Sequence, residues 1–296
     1  MTEILVLGGA SWNRMIHVDA LPQGVSATIF DAAEAEGAGS TGVGKSMALA
    51  ALGYAPVLQC ALGRDAEASR IRTACAQRGI SMIVDEQDAP TPRHLNIMDA
   101  QGGRYSIFLS NGADRPVIDM PRIAARIRSA ETIFLSLSNS SKELLRLLAD
   151  TDAQILLDLH DYDGGNPWHD DFIACADVLQ LSDVALAQPD AVIDRLLSGR
   201  AQQVVLTKGG EGATIITADQ RLDIPACPAK MIDSNGAGDA FSVALWHGQK
   251  SGLDLLQAGR FAAAAAALAI EDASLFPAQI TAANISARAA LGEPAQ

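Results

Sequence analysis

The sequence predicts an α/β fold in three layers: a mostly parallel central sheet with helices on both faces, and a small β-sheet laid over it as a lid. Two patterns carry this expectation. Short apolar runs alternate with helix-period stretches along most of the chain, as expected for parallel strands buried on both faces. Four β-rich segments stand apart from that alternation with no helix between the members of each group, and four such strands cannot close a core of their own. The 296 residues fit one such domain spanning 1–296, with lid strands inserted at about 12–36 and 92–112.

Ile4–Leu7 is a short apolar run ending in Gly8-Gly9, the pattern of a buried strand whose carboxyl end faces a site. Residues 16–18 and 27–30 supply the early lid strands, on either side of Leu21-Pro22. Asp31–Ala38 is acidic and small, and is not read as a strand. Met47–Leu52 is a helix ending at Gly53. Val57–Leu62 and Ile80–Val84 are strands around a helix over Asp65–Arg78. Arg93–Met98 and Arg104–Leu109 form the second lid pair across a hairpin turn. Thr132–Leu137, Ile155–Leu159, Val178–Leu181, Val204–Leu206 and Thr214–Ile216 are strands. Helices are expected over Ser141–Ala149 and at about 190–198, 238–251, 254–270 and 280–291.

Composition narrows the partners. The net charge of −13 disfavours nucleic acid and anionic membranes. No apolar run reaches the ~18 residues of a membrane span, and the amino terminus runs into a strand without a basic region. The four cysteines, Cys60, Cys75, Cys175 and Cys227, have no metal-ligand spacing and read as reduced thiols of a cytoplasmic protein.

The chemistry centres on Asp233-Ser234-Asn235-Gly236-Ala237-Gly238-Asp239-Ala240-Phe241. A glycine turn opening a helix leaves outward amides at the positive end of the helix dipole, a ready anion site. An acid beside an anion site repels its ligand unless it does chemistry, for example by taking a proton from an attacking hydroxyl while the amides hold a transferring phosphate. A second glycine-rich stretch, Gly39-Ser40-Thr41-Gly42-Val43-Gly44-Lys45-Ser46, matches the P-loop pattern letter for letter. A P-loop also needs a buried strand just before it, and Asp31–Ala38 does not supply one.

Taken together, these segments resemble the ribokinase-like (PfkB) carbohydrate and nucleoside kinases over almost the full chain. Asp233–Phe241 is similar to that family's C-terminal signature D-T-x-G-A-G-D-x-F. Leu206–Ala213 resembles its nucleotide-contacting V-T-x-G-x-x-G segment, Gly39–Gly53 its N-terminal signature G-G-x-x-x-N-x-A, and Gly8–Gly24 its first substrate segment. The resemblance implies an ATP-dependent kinase with Mg²⁺ on the nucleotide; a monovalent cation is a further candidate. It implies Asp239 as general base and Gly236, Ala237 and Gly238 as the anion hole. Thr207, Lys208, Gly209 and Gly212 would line the nucleotide site, and Asn13, Gly39, Ser40 and Thr41 would face a sugar or nucleoside acceptor.

The departures from the family pattern lie mainly on the acceptor and metal sides. Asn13 stands where the family has Asp, Gly44 where it has Asn, and Ser182-Asp183-Val184-Ala185 where it has N-x-x-E. Two other classes remain open: a degenerate, non-catalytic member that binds nucleotide or sugar, and a P-loop NTPase acting through Lys45. Trp12 is a candidate for stacking on the acceptor, Arg14 and Arg104 are candidate lid groups, and Trp168-His169-Asp170-Asp171 reads as a capped helix start rather than a metal site. A homodimer through the lid is expected, because a four-stranded sheet with one apolar face needs cover.

Overall fold

A computed structural model describes residues 3–24, 26, 28–99, 102–272, 274, 277 and 279–291. In chain order the elements are β1 (Ile4–Leu7), β2 (Ser11–Val18), β3 (Ala33–Gly39), α1 (Thr41–Ala51), β4 (Val57–Leu62), α2 (Ala66–Gln77), β5 (Ser81–Glu86), β6 (Arg93–Asp99) and β7 (Arg104–Ser110). Then come α3 (Met120–Ser129), β8 (Thr132–Ser136), α4 (Asn139–Lys142), α5 (Leu145–Leu148), β9 (Gln154–Asp158), α6 (Asp170–Cys175), β10 (Val178–Ser182) and α7 (Pro189–Leu197). The chain finishes with β11 (Gln203–Thr207), β12 (Ala213–Thr217), β13 (Arg221–Ile224), α8 (Ala237–Lys250), α9 (Leu255–Ile270) and α10 (Ala282–Leu291).

The central sheet runs β13-β12-β11-β10-β9-β8-β1-β4-β5. It is parallel from β5 to β11, and β12 and β13 add an antiparallel edge. The reason lies in the strands' composition. β1, Ile-Leu-Val-Leu, is buried at every position, so it has no polar face to give to water. Alternate residues go to opposite layers: Leu5 and Leu7 join the face covered by α3, α5, α6 and α7, whereas Ile4 and Val6 join the face packed under α1 and α8. Some helix starts are fixed by side chains. Asp65 caps α2 through the amide of Ala68 at 2.9 Å, and Asp254 and Gln257 form a reciprocal capping box at α9. The carboxyl ends of β9, β10 and β11 lie side by side, with Asp158 in register with Gln180 and Ser182 with Thr207.

A second sheet, β3-β2-β6-β7, forms the lid. β2 pairs with β6 in parallel and with β3 antiparallel. Here the expected boundaries need correction. No strand covers Thr28–Phe30, and Ala27 lies outside the described residues; the strand is Ala33–Gly39, the stretch set aside as too acidic and small. Alternation explains it: on this edge strand Glu34 and Glu36 reach Arg14 of β2, and the small residues take the intervening positions. The helix expected over Ser141–Ala149 is two short turns, α4 and α5. The elements α3 and β13 were not anticipated, whereas α6 begins where Trp168–Asp171 reads as a helix start. α3 buries only Ile123 and Ile127, one residue per turn on an otherwise polar helix, and Asp119 caps it through the amide of Arg122.

Candidate active site

The loop before α8 turns at Gly236, whose φ of 80° lies in the left-handed region that favours glycine. Asp233 Oδ1 accepts from the amide of Asn235 at 2.7 Å and shapes the approach. α8 then begins with Ala237, Gly238 and Asp239. The leading amides of a helix have no intrahelical acceptor, and among the described residues no other protein group takes those of Gly236, Ala237 and Gly238. Gln180 of β10 donates to the carbonyl of Gly238 at 3.0 Å, tying this helix start to the carboxyl edge of the sheet. A side chain added at Gly238 would touch only Gln180, at 3.5 Å.

Asp239 is buried, and so is its partner, Lys45 of α1, which has no exposed surface. The ammonium of Lys45 donates to Asp239 Oδ1 at 2.5 Å and to Asp158 Oδ2 at 3.1 Å. The amide of His160 donates to the other oxygen of Asp158 at 3.0 Å. Burial works against the charge of Lys45, but Asp239 and Asp158 outweigh it, so the lysine stays protonated with its pKa raised. Burial also opposes ionisation of Asp158, yet His160, Lys45 and the amide bond bring it down to about 2. Asp239 is raised from the ordinary carboxylate value, mainly by burial, with Asp158 adding to the rise and Lys45 opposing it. The cluster is a carboxylate pair around one cation, and it leaves the acid of α8 more basic than a surface aspartate.

The P-loop-like stretch has a different use in the fold. The strand before it, β3, belongs to the lid sheet, not to the buried central sheet a P-loop needs. A side chain on Gly42 would sit 2.5 Å from the carbonyl oxygen of Gly9, and one on Gly8 would sit 2.9 Å from the Cα of Gly42. These glycines let α1 press against the end of β1. Ser40, at the helix start with φ 72°, makes no side-chain cap.

Ser11 donates to Asn13 Oδ1 at 2.6 Å, so the amide nitrogen of the buried Asn13 is its remaining polar group. Gly39 lies opposite Ser11 across the β2–β3 pair, and Ser40 and Thr41 lead into the helix that carries Lys45. Trp12 lies on the opposite face of β2 from Asn13, under Arg70 and hydrogen-bonded to Glu36, and Arg14 is ion-paired to Glu34 and Glu36. Neither shares the face of Asn13, as strand alternation requires. Arg104 does reach the site's rim: it donates to Asn235 Oδ1 at 3.1 Å. Met98 also meets Asn235, and His17 stands 3.6 Å from Asp233 Oδ2. The far ends of three lid strands thus rest on the loop that leads into Gly236.

Thr207 closes β11, and Lys208–Gly212 forms a tight turn behind it, in which the amide of Lys208 donates to the carbonyl of Gly212 at 2.8 Å. Gly212 has φ 96°, and a Cβ there would lie 2.1 Å from the carbonyl oxygen of Ile224. Lys208 Nζ is 3.5 Å from Asp223. Asp183 donates its amide to the carbonyl of Thr207, and Val184 beside it is exposed. Among the described residues no three His, Cys, Asp or Glu side chains converge on a metal position. His169 packs against Trp168 and Tyr162 at the start of α6.

The family model for pfkB family carbohydrate kinases matches residues 36–278. The chain belongs to the PfkB carbohydrate kinase family. It is 31% identical, over 90% of its length and 92% of the relative's, to the acarbose 7(IV)-phosphotransferase of Actinoplanes sp.. It is 28% identical to a nucleoside kinase of Methanothermobacter thermautotrophicus, over 91% of this chain and 90% of that one. Among solved structures it resembles the microbiome-derived acarbose kinase Mak1, with a TM-score of 0.85, 27% identity and coverage of 98% of this chain and 99% of that one. The ribokinase of Arabidopsis thaliana in complex with ribose and ATP shares the fold, with a TM-score of 0.81 at 20% identity over 98% of this chain and 99% of that one.

This PfkB kinase is therefore a phosphotransferase with an alcohol acceptor. Reading its sequence missed the contact between Lys45 and Asp239, the anchor Asp158 and the link through Gln180. One signal was available. Lys45 is the sole charged residue of Thr41–Ala51 and has no acid of its own helix to pair with, so its partner had to come from elsewhere in the chain.

Proposed function

We propose that the chain transfers the γ-phosphoryl group of ATP to a hydroxyl of a sugar, sugar derivative or nucleoside. The observation that carries this reading is the buried Asp239 in the first turn of a helix whose leading amides have no protein acceptor among the described residues. Asp239 takes the proton of the acceptor hydroxyl as its oxygen attacks the γ-phosphorus and the bond to ADP breaks. The amides of Gly236, Ala237 and Gly238 hold the charge on the transferring group, an electrostatic contribution that needs no rearrangement at the moment of reaction. Thr207, Lys208, Gly209 and Gly212 bind the nucleotide. Asn13, Gly39, Ser40 and Thr41 bind the acceptor, with Asn13 donating where an aspartate would only accept. Because among the described residues no three His, Cys, Asp or Glu side chains converge on a metal position, Mg²⁺ arrives on the ATP phosphates, with a monovalent cation as a further candidate. The lid strands are insertions into a single catalytic domain, and the lid excludes water from the transfer.

We also infer a homodimer through the lid, because Tyr105, Ile107, Phe108 and Leu109 of β7 are exposed, and a cytoplasmic location consistent with four free thiols. A monomeric mass at micromolar concentration would remove the dimer. The test of function is ADP release with Mg-ATP against acarbose, ribose, other sugars and inosine. Acceptor-dependent turnover supports the kinase. ATP binding without turnover on any acceptor favours instead a non-catalytic binding protein, the reading that Gly44 and Ala185 at the family's Asn and Glu positions would then support.

A further inference from the structure

A fully buried lysine is expensive, because the desolvation of a charge is repaid only by close and well-directed partners. Lys45 has two. It sits on a helix with no other charge, yet its side chain crosses to β9 and α8 and joins the anchor Asp158 to Asp239. Asp158 is itself fixed, with Oδ1 held by the amide of His160 and Oδ2 by Lys45. A rigid chain of hydrogen bonds therefore runs from the end of the central sheet to one oxygen of Asp239. The other oxygen, Oδ2, has no protein hydrogen bond among the described residues.

We propose that Lys45 is a positioning residue for the base of the transfer: it tethers Oδ1 of Asp239 to the fixed Asp158, and so presents Oδ2 to the acceptor hydroxyl. This rests on the kinase reading above, to which it adds a residue outside the family's C-terminal signature. Loss of turnover in Lys45→Ala, even set beside Asp239→Asn, therefore does not tell a kinase from a P-loop NTPase acting through Lys45. The two residues touch, so the lysine variant loses turnover in either case, and the pH profile must separate them.

The charges facing Asp239 are Lys45 from α1, Asp158 from β9 and His160 just beyond it. Lys45 favours the ionised base and Asp158 opposes it, so the two single variants move the base in opposite directions. A base must be deprotonated to act, so kcat/KM rises with pH through its pKa. Lys45→Met removes the stabilising cation, and the acidic limb of the profile moves up by about one unit or more, with a loss of kcat at neutral pH of about 10–100-fold that alkaline pH partly restores. Asp158→Asn removes a like charge while keeping the Lys45–Asp239 pair, and the limb moves down. In Lys45→Met/Asp158→Asn the cluster keeps its net charge, the limb returns towards wild type, and kcat stays low because the tether is gone.

The experiment measures these pH profiles beside ATP affinity, with a second readout that needs no turnover: the carboxyl ¹³C titration of Asp239, identified as the resonance absent from Asp239→Asn. ATP affinity stays near wild type in each folded variant. If Lys45→Met fails to fold, Asp158→Asn alone decides, since it leaves the buried pair intact. An acidic limb and a carboxyl titration that stay in place in Asp158→Asn, or a wild-type kcat in the double variant, would overturn the proposal. Opposite carboxyl shifts in a protein that turns over no acceptor would sustain the tether and remove the kinase reading. Turnover without those shifts would do the reverse.

Discussion

At the start of α1, Gly42 presses on the backbone of Gly9 and Lys45 turns inward to two carboxylates. At the start of α8, Gly236 turns the chain through the left-handed region, and among the described residues the amides after it have no protein acceptor. Both helices open behind glycine-rich turns, and the first fits the P-loop pattern better than the second does. The surroundings separate them. Glycine at α1 serves a close approach of two backbones, and its lysine is consumed inside the protein; glycine at α8 serves a turn and leaves leading amides that no described residue takes. A glycine motif therefore gains chemical meaning only from the element that precedes it and from what its side chains meet.

Substitutions can break or sharpen that contrast. The largest effect is expected at Asp239, where Asn keeps the shape but cannot take the proton, and kcat falls by about 10²–10⁴-fold in a coupled ADP assay. Next is Gly238→Ala. Its methyl group meets only Gln180 at an ordinary distance, so the fold survives, but the transferring phosphate is displaced and kcat falls by about 10–100-fold with the melting temperature close to wild type. Gly212→Ala collides with the carbonyl of Ile224 and distorts the nucleotide turn, raising the KM for ATP by about tenfold while kcat at saturation holds. Gly42→Ala gives the converse of Gly238→Ala: overpacking costs about 1–3 kcal/mol, read as a melting point lower by several degrees, with kcat near wild type in the folded fraction. Arg104→Ala frees the lid tip from Asn235 and is the mildest, raising the acceptor KM by about threefold to tenfold.

The central strands were legible because full burial writes itself as an unbroken apolar run. Ile4–Leu7 and Val57–Leu62 match their predicted limits, and Asp65 marks the start of α2 by its cap. The lid was harder. β3 is an edge strand of alanine, glycine and glutamate, and its strand character comes from pairing with β2 rather than from its own residues. α3 turns only Ile123 and Ile127 to the core among three arginines, so it carries too few large apolar residues to stand out although its helical period is strong. At the site, the glycine turn and helix start at Gly236–Asp239 could be read because they are local to one stretch of chain. The Lys45 cluster could not, because its members lie 113 and 194 residues apart along the chain and meet only when α1, β9 and α8 are packed. Trp12 and Arg104 show the same limit. Adjacency to Asn13 made Trp12 a candidate for stacking on an acceptor, and strand alternation puts it on the opposite face from Asn13; Arg104, distant in sequence, reaches the loop before Gly236.

The most direct test of this account is one comparison: ADP release by wild type and Asp239→Asn at saturating Mg-ATP and acceptor, with ATP affinity titrated on the same samples. The account predicts equal ATP affinity and a turnover at least about 100-fold lower in the variant. Equal turnover in the two proteins would contradict it, because the proton would then be leaving the acceptor by a route that does not involve Asp239.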